Sequence, residues 1–295
     1  MKTYLECIPC FFKQALEAAR LAGASQGTQE KILNKLTEVV PQLSLASPPP
    51  AMGRIIYGLV EKFTKRKDPF KAAKDKSNRL TLDIYDTLKS RISRSHDRLL
   101  AAVELAIAGN IIDYGVKNTL DVGKEIKKIL SKEHKTIKRK SNKLFNYAEF
   151  KRILRRAKTI LYLADNTGET VFDRILIEEI KNLYKKKRVI YAVKGRPIIN
   201  DALVEDAYQC GIDRVAEVVS TGLGIPGTIL SLCSKDFLRI YKDADMIISK
   251  GQGNFEALSE KRKPVFFLFM AKCNVVAKYV GCNVGDIILI YNKTK

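Results

Sequence analysis

The spacing of apolar residues changes about half-way along the chain. In the first half, apolar side chains recur at three- and four-residue intervals, which is the period of an amphipathic helix. The segments with this pattern lie at 9–23, 27–40, 49–64, 68–92 and 95–109. Prolines at 48–50 and the pair Asp68-Pro69 are helix-start signals ahead of two of them. The pattern predicts an N-terminal region made almost entirely of helices.

Beyond residue 150, short apolar runs alternate with helical stretches. The runs read TILYLA, RVIYAV, AEVVS, MIIS, PVFFLFM and DIILIY. Apolar strands separated by helices are typical of a mainly parallel sheet that is covered on both faces. We therefore predict an α/β protein with a boundary near residues 145–150, in which the helical region packs on the sheet region.

The chain carries 53 Lys and Arg against 32 Asp and Glu, for a formal net charge of +21. A positive field of this size attracts nucleic acids and phosphorylated small molecules alike, so it does not choose between them. The most basic segment, 124–158, is either a nucleic-acid patch or a solvated helical connector. We favour the connector because no aromatic stacking pattern runs through it. A basic RNA-binding protein with a non-catalytic α/β scaffold is the alternative function.

No stretch of the sequence predicts export or membrane insertion. Charged and polar residues interrupt the N-terminal segment MKTYLECIPCFFKQALEAARLAG, unlike a secretory signal. The best apolar run, PVFFLFMA, is too short to cross a bilayer. We expect a cytoplasmic protein that has no contact with membranes.

The six cysteines include one close pair, Cys7 and Cys10 in CIPC. A structural zinc site usually needs four ligands, but a second pair is missing and His96 and His134 lie far apart in the sequence. A zinc site, a disulfide, a redox pair and simple buried thiols all remain open for this motif.

Polar side chains follow the predicted strands. Asp165-Asn166 ends the first strand, and Asn200-Asp201 comes after the second. Ligands of open α/β sheets bind beyond the carboxyl ends of the strands, so these side chains are expected to converge. Two carboxylates and an amide oxygen suit Mg²⁺ or Mn²⁺. Each residue taken alone is equally typical of a helix cap or a turn.

The remaining strand ends carry glycine loops and cations. STGLGIPGT and SKGQGN could present backbone N–H groups to an anion, but neither is a phosphate-binding Walker motif. GLGIPG matches the dinucleotide-binding pattern G-x-G-x-x-G, but it follows the third predicted strand and not the first. The match motivates a third hypothesis, an enzyme that binds a nucleotide or a methyl donor. Four cations near these ends are candidates for holding a phosphate, or ordinary surface charges: Lys194, Arg196, Lys250 and Lys272.

No nucleophile motif is present, and neither histidine has an evident triad partner. A site that works without a histidine base fits metal-assisted hydrolysis better than acyl transfer.

Seven stretches in chain order resemble the damage-control phosphatases, and most closely their archaeal and bacterial subfamily with an N-terminal CxxC. The stretches are ECIPC, AIAGNIIDYG, LADNTGETVFDRILIEEI, VKGRPIINDALVEDA, STGLGIPGT, SKGQGNFEAL and FMAKCNVVAKYVG. The resemblance implies a helical N-terminal domain, residues 1–148, packed on a Rossmann-like α/β/α domain, residues 149–295. It implies a metal-dependent phosphatase whose substrate is a small phosphorylated metabolite, such as a sugar phosphate, a damaged nucleotide or a cofactor intermediate.

The resemblance also implies residue roles. Asp165, Asn166 and Asp201 match the metal ligands and carry the catalytic role, by activated water or by carboxylate attack on the phosphoryl group. Asn254 matches a loop that contacts substrate, and Lys272 matches a lysine that contacts the phosphate. Asn110, with Asp113, matches a helix end that faces the site. The metal is Mn²⁺, Ni²⁺, Co²⁺ or Mg²⁺; the sequence does not choose between these ions, nor predict an oligomeric state.

Overall fold

The structure is a computed structural model that describes residues 1–109 and 142–292. In the first of these ranges the chain forms six α-helices. They are α1 (Cys7–Leu21), α2 (Gln26–Val39), α3 (Pro50–Thr64), α4 (Lys71–Leu82), α5 (Tyr85–Ser93) and α6 (Arg98–Gly109). The apolar segment 68–92, which shows one continuous period, is broken between α4 and α5 at residues 83–84. None of the helices in the described ranges is long and apolar enough to cross a membrane.

Helices α1, α2 and α3 enclose a small core of their own. Phe11 of α1, Ile32 of α2 and Ile56 of α3 are buried against one another, as their helical spacing predicts. Pro50 stands at the start of α3, where its fixed φ favours the first helical turn and its missing N–H costs nothing. Asp68 caps the turn ahead of α4, because its Oδ1 accepts the Phe70 N–H at 3.1 Å.

From residue 142 onward the chain alternates between helices and strands. The helices are α7 (Tyr147–Arg156), α8 (Glu169–Leu183), α9 (Val204–Gln209), α10 (Lys235–Asp243), α11 (Gln252–Leu258) and α12 (Asn274–Val280). The strands are β1 (Thr159–Leu163), β2 (Arg188–Val193), β3 (Glu217–Ser220), β4 (Met246–Lys250), β5 (Val265–Met270) and β6 (Ile287–Asn292). Short 3-10 turns occupy Val40–Gln42, Asn142–Leu144, Ile212–Arg214 and Leu230–Leu232.

The six strands form one sheet in the order β3-β2-β1-β4-β5-β6. Five strands are parallel, and β6 runs antiparallel to β5 at the edge. This is the strand order of doubly wound nucleotide-binding folds, in which the direction of winding reverses between β1 and β4. The predicted α/β class with a mainly parallel sheet is confirmed, and the reversal marks the crevice where such folds bind ligands.

Both faces of the sheet are buried. Along β1, Ile160 and Tyr162 enter one core, while Leu161 and Leu163 enter the other, as the two-residue period of a strand requires. The first core also contains Val103 of α6, so a helix from the N-terminal half covers part of the sheet. The predicted domain division between residues 148 and 149 stays a prediction.

Two sequence-derived hypotheses depend on residues outside the described ranges. Asn110 and Asp113 directly follow α6 but are not among the described residues. The basic segment 124–158 is also outside them up to residue 141; its described part, residues 142–158, includes α7.

Candidate active site

The proposed ligand residues lie together at the switch point of the sheet. Asp165 and Asn166 follow β1, and Asn166 forms an isolated antiparallel bridge with Asp201 from the loop after β2. The N–H of Ala202 donates to Asp165 O at 2.8 Å. The side chains of all three predicted ligands are buried, with no more than 8% exposed. Backbone pairing between two loops therefore places two carboxylates and an amide in one protected corner.

The loop that carries Asp201 is held in an uncommon backbone conformation. Ile199 has a φ of 44°, in the left-handed region that β-branched residues rarely adopt. The Asp201 N–H donates to Ile198 O at 3.0 Å, and the Thr167 N–H donates to Asn200 O at 2.8 Å. Such strain costs about 1–3 kcal/mol and persists only where the surroundings enforce it. Here it turns the chain so that Asp201 faces the end of β1.

Gly251, directly after β4, packs against the Asp165 carboxylate. Its φ is 81°, and a Cβ added to it would lie 1.8 Å from Asp165 Oδ2. The backbone therefore approaches the Asp165 carboxylate more closely than any side-chain-bearing residue permits.

A fully buried ion cluster lies behind these residues. Lys250 Nζ donates to Asp173 Oδ1 at 2.6 Å and to Glu169 Oε2 at 3.0 Å. The hydroxyls of Tyr162 and Tyr191 donate to the two oxygens of Asp173 at 2.7 and 2.8 Å. Burial alone lowers the pKa of Lys250, but the Asp173 and Glu169 carboxylates outweigh it and raise this pKa above its ordinary value. Lys250 is thus a charged, buried partner of two carboxylates rather than a surface cation.

The cluster orients the amide of Asn166. Its Nδ2 donates to Glu169 Oε1 at 2.8 Å and to Asp165 Oδ2 at 3.0 Å. With both N–H bonds engaged, the amide oxygen is the group that Asn166 offers to a cation. Fixing the orientation of a ligand through its own hydrogen-bond partners is a general feature of metal sites.

Among the described residues, the buried charges around Asp165 and Asp201 do not balance. In their ionised forms they supply four negative and two positive charges, an excess of two negative charges; the residues are Asp165, Glu169, Asp173, Asp201, Lys194 and Lys250. Lys194 Nζ lies 3.5 Å from Asp201 Oδ2 and also donates to Gly227 O. Buried charge without compensation is costly, so the corner suits a divalent cation.

The donor set fits a hard metal ion. Among residues 1–109 and 142–292, no three His, Cys, Asp or Glu side chains form a metal cluster, and the proposed set has only two carboxylates together with an amide. Oxygen donors of this kind suit Mg²⁺ or Mn²⁺, which keep open positions for water and phosphate.

Comparison with known proteins identifies the family. The family model described as the damage-control phosphatase ARMT1-like domain matches residues 3–288. The chain belongs to the damage-control phosphatase family. It is 38% identical over 293 residues to the uncharacterized protein MJ0202 of Methanocaldococcus jannaschii, covering 97% of this chain and 94% of that protein. It is 35% identical over 298 residues to damage-control phosphatase PH1575 of Pyrococcus horikoshii, covering the whole of both.

A solved structure agrees with this placement. The crystal structure of a duf89 family protein (ph1575) from Pyrococcus horikoshii superimposes with a TM-score of 0.86 at 33% identity, over 99% of this chain and 100% of that one. Membership of the damage-control phosphatases supports a phosphatase activity and a small phosphorylated substrate.

In this damage-control phosphatase the predicted substrate residue Asn254 is fully buried. Its Nδ2 donates to Lys250 O at 2.8 Å and to Ala164 O at 3.0 Å, and its Oδ1 accepts the Thr228 hydroxyl at 2.7 Å. These bonds join α11 to the end of β1 and to the loop after β3. Asn254 thus holds the start of α11 against the ends of β1 and β4 and the loop after β3. Its contact with substrate stays a prediction.

The other predicted substrate residue, Lys272, follows β5 and is half-buried. Its N–H donates to Gln252 Oε1 at 2.9 Å, which links it to α11. Asn110, the third predicted substrate residue, lies outside the described ranges.

The GLGIPG loop serves as a packing surface in this damage-control phosphatase. A Cβ at Gly227 would lie 2.5 Å from Gly253 O, and one at Gly53 of α3 would lie 2.4 Å from Pro226 Cδ. The loop therefore joins α3 to α11, where a turn is a better description than a dinucleotide fingerprint.

The CIPC motif opens α1. Cys7 and Cys10 are free thiols, and burial raises the pKa of each. Cys273 lies near them and accepts a hydrogen bond from Gln252 Nε2 at 3.6 Å. Thiols with raised pKa values are poor nucleophiles at neutral pH.

Sequence reasoning missed Glu169 and Asp173 as parts of the site. Both are fully buried on α8, one helical turn apart, immediately after the Asn166 loop. Two acids at this spacing on an otherwise apolar helix face are a signal that could have been found.

Proposed function

We propose that the protein is a metal-dependent phosphatase that hydrolyses a small phosphorylated metabolite at Asp165, Asn166 and Asp201. The observation that carries the proposal is the excess of two negative charges among the described buried residues beyond the carboxyl ends of the neighbouring strands β1 and β4. Membership of the damage-control phosphatases supplies the reaction class. A bound Mg²⁺, Mn²⁺, Co²⁺ or Ni²⁺ would supply a Lewis acid that polarises the phosphoryl oxygen.

The residues around the proposed ligands have complementary roles. Lys250 compensates part of the negative charge by donating to Glu169, and Glu169 in turn accepts the hydrogen bond that holds the Asn166 amide. Lys194 does the same beside Asp201. We assign to Lys272 the role of offsetting the negative charge that develops on the transferred phosphoryl group, since it follows β5, the strand next to β4, and is half-buried.

The Asp165 carboxylate is the group we assign to the reaction itself. It stands beside the Gly251 backbone, at the mouth of the crevice between β1 and β4. A carboxylate there attacks the phosphoryl group or removes a proton from the attacking water. Sugar phosphates, damaged nucleotides and phosphorylated cofactor intermediates are the substrate classes we propose.

The test is hydrolysis of a generic phosphomonoester by protein stripped with chelator. We expect activity to return with at least one of Mn²⁺, Mg²⁺, Co²⁺ or Ni²⁺, and to be lost in Asp165→Ala. Asp245→Ala is the matched control, because its carboxylate accepts the N–H groups of Lys158 and Thr159 at the opposite end of the strands. Equal activity in Asp165→Ala and Asp245→Ala would refute the assignment of the site.

A further inference from the structure

Asn78, on α4, contacts both loops that carry the proposed ligands. Its Oδ1 accepts the Gly168 N–H at 2.8 Å, and its Nδ2 donates to Asp206 Oδ1 at 2.8 Å. Gly168 follows Asn166 by two positions, and Asp206 lies in the first turn of α9, which follows Asp201. One side chain from the N-terminal half thus joins the two segments whose pairing forms the candidate site.

The bond from Gly168 to Asn78 gives a hydrogen-bond acceptor to the Gly168 N–H, which has no partner within helix α8. Gly168 is the N-cap of α8, with a φ of 78°, and no side chain of the cap residue bonds the first turn. The first N–H groups of a helix have no partner within the helix, so a buried N-terminus needs an acceptor from elsewhere. Asn78, itself fully buried, supplies that acceptor.

The bond from Asn78 to Asp206 connects α4 to α9, the helix that follows the Asp201 loop. Asp206 is buried, and its Oδ2 accepts the Leu203 N–H at 2.9 Å, which fixes the start of α9. Asn78 Nδ2 also donates to Gln209 Oε1 at 3.0 Å in the same helix. Burial raises the pKa of Asp206, while the bonds from Leu203 and Asn78 and the charge of Lys74 oppose this rise.

Neighbouring polar residues of α4 do not make such connections. Ser77 is equally buried, but its hydroxyl donates to Ala73 O at 3.0 Å within the helix. The Thr81 hydroxyl likewise donates to Ser77 O at 2.9 Å. Asn78 is therefore distinguished by where its bonds lead rather than by its burial.

We propose that Asn78 is a positioning residue, which fixes the Asp165-Asn166 loop relative to the Asp201 loop and so sets the geometry of the ligands. The inference rests on the proposed function. It also gives the N-terminal helices a role at the site, because Asn78 of α4 acts through the segments that carry the ligands. Removing such a partner typically weakens metal affinity by about 10- to 100-fold.

The experiment measures Mn²⁺ affinity by electron paramagnetic resonance for the wild type, Asn78→Leu, Asn78→Asp and the control Ser77→Ala. We expect Asn78→Leu to bind Mn²⁺ about 10- to 100-fold more weakly, and Ser77→Ala to bind as the wild type does. Asn78→Asp keeps the acceptor for Gly168 but places a carboxylate against Asp206. Its loss of affinity should therefore shrink as the pH falls, since the protonated carboxyl again donates to Asp206.

The outcomes separate the inference from the proposed function. Wild-type affinity in Asn78→Leu would overturn the positioning role and leave the proposed function intact. If the wild type binds no Mn²⁺ and the chelator-stripped protein regains no phosphatase activity with Mn²⁺, Mg²⁺, Co²⁺ or Ni²⁺, the proposed function is refuted, and the inference with it. If circular dichroism shows Asn78→Leu unfolded, the pH dependence of Asn78→Asp decides; a deficit that does not change with pH would count against the role.

Discussion

Gly251 is the position where one methyl group should disturb the candidate site most directly. A Cβ there would lie 1.8 Å from Asp165 Oδ2 and 2.1 Å from Asp165 Cγ. Since non-bonded atoms normally stay about 3.5 Å apart, the carboxylate would have to move by roughly 1.5 Å or more. The substitution Gly251→Ala therefore displaces the reacting group without changing any polar residue.

Two costs follow from the structure. Gly251 has a φ of 81° and a ψ of 157°, a region that is essentially restricted to glycine. Placing Ala there costs about 1–3 kcal/mol of folding free energy. A displacement of about 1 Å at a reacting centre lowers the rate by about 100-fold, and we expect at least this loss of phosphatase activity in Gly251→Ala.

Gly58→Ala is the matched control. Gly58 lies within α3, and an added Cβ would have no heavy atom within 4 Å. Ala is favoured over Gly inside a helix by about 0.5–1 kcal/mol, so this variant should melt slightly higher and keep its activity.

The assay combines steady-state hydrolysis at saturating metal with thermal unfolding in chelator. Gly251→Ala should lower the rate of hydrolysis by at least about 100-fold. It should also lower the free energy of unfolding by about 1–3 kcal/mol. A Gly251→Ala protein as active as Gly58→Ala would refute the reasoning, because the Asp165 carboxylate could then move without consequence.

Three further predictions concern Lys250, Glu256 and the cysteine pair Cys7 and Cys10. Lys250→Met leaves two buried carboxylates without their cation, and urea titration should show a loss of about 3–5 kcal/mol. Burial raises the pKa of Glu256 from 4.5 to about 7, opposed in part by its hydrogen bond from Gln252. The folded state therefore keeps this proton to a higher pH than the unfolded state does. The stability that the protonated carboxyl contributes is fully present below pH 4.5 and is lost as the pH rises to about 7. Glu256→Gln should flatten that part of the stability curve measured by denaturant titration; an unchanged slope would contradict the shift. Because burial raises the pKa of Cys7 and Cys10, iodoacetamide should modify them slowly at pH 7 and faster toward pH 10, as followed by mass spectrometry. Rapid modification at pH 7 would contradict this.

The sheet was predictable because its central strands, β1, β2, β4 and β5, are buried on both faces. Each of the six apolar runs in the sequence becomes one strand, from β1 (Thr159–Leu163) to β6 (Ile287–Asn292). The direction of β6, which pairs antiparallel to β5, was not predictable, since an apolar run does not indicate the direction in which a strand runs. The break between α4 and α5 was also missed, because apolar spacing continues across it.

That the proposed ligand residues lie together was predictable for a different reason. Polar side chains at the ends of parallel strands meet at one edge, so Asp165, Asn166 and Asp201 stood out before any coordinates. The pairing of Lys250 with Glu169 and Asp173 joins residues 77 and 81 positions apart. Local periodicity does not reveal such distant pairs, and the sequence therefore presented Lys250 as a candidate for holding a phosphate or as an ordinary surface cation. Asn78, 90 positions from Gly168, was invisible for the same reason.

The most direct test of the central claim is the position of a bound metal. Crystals soaked in Mn²⁺ after chelator treatment would be measured for anomalous diffraction. The proposed function predicts one strong anomalous peak in contact with the side-chain oxygens of Asp165, Asn166 and Asp201. A peak bound elsewhere, or none at a Mn²⁺ concentration that supports phosphatase activity, would contradict it.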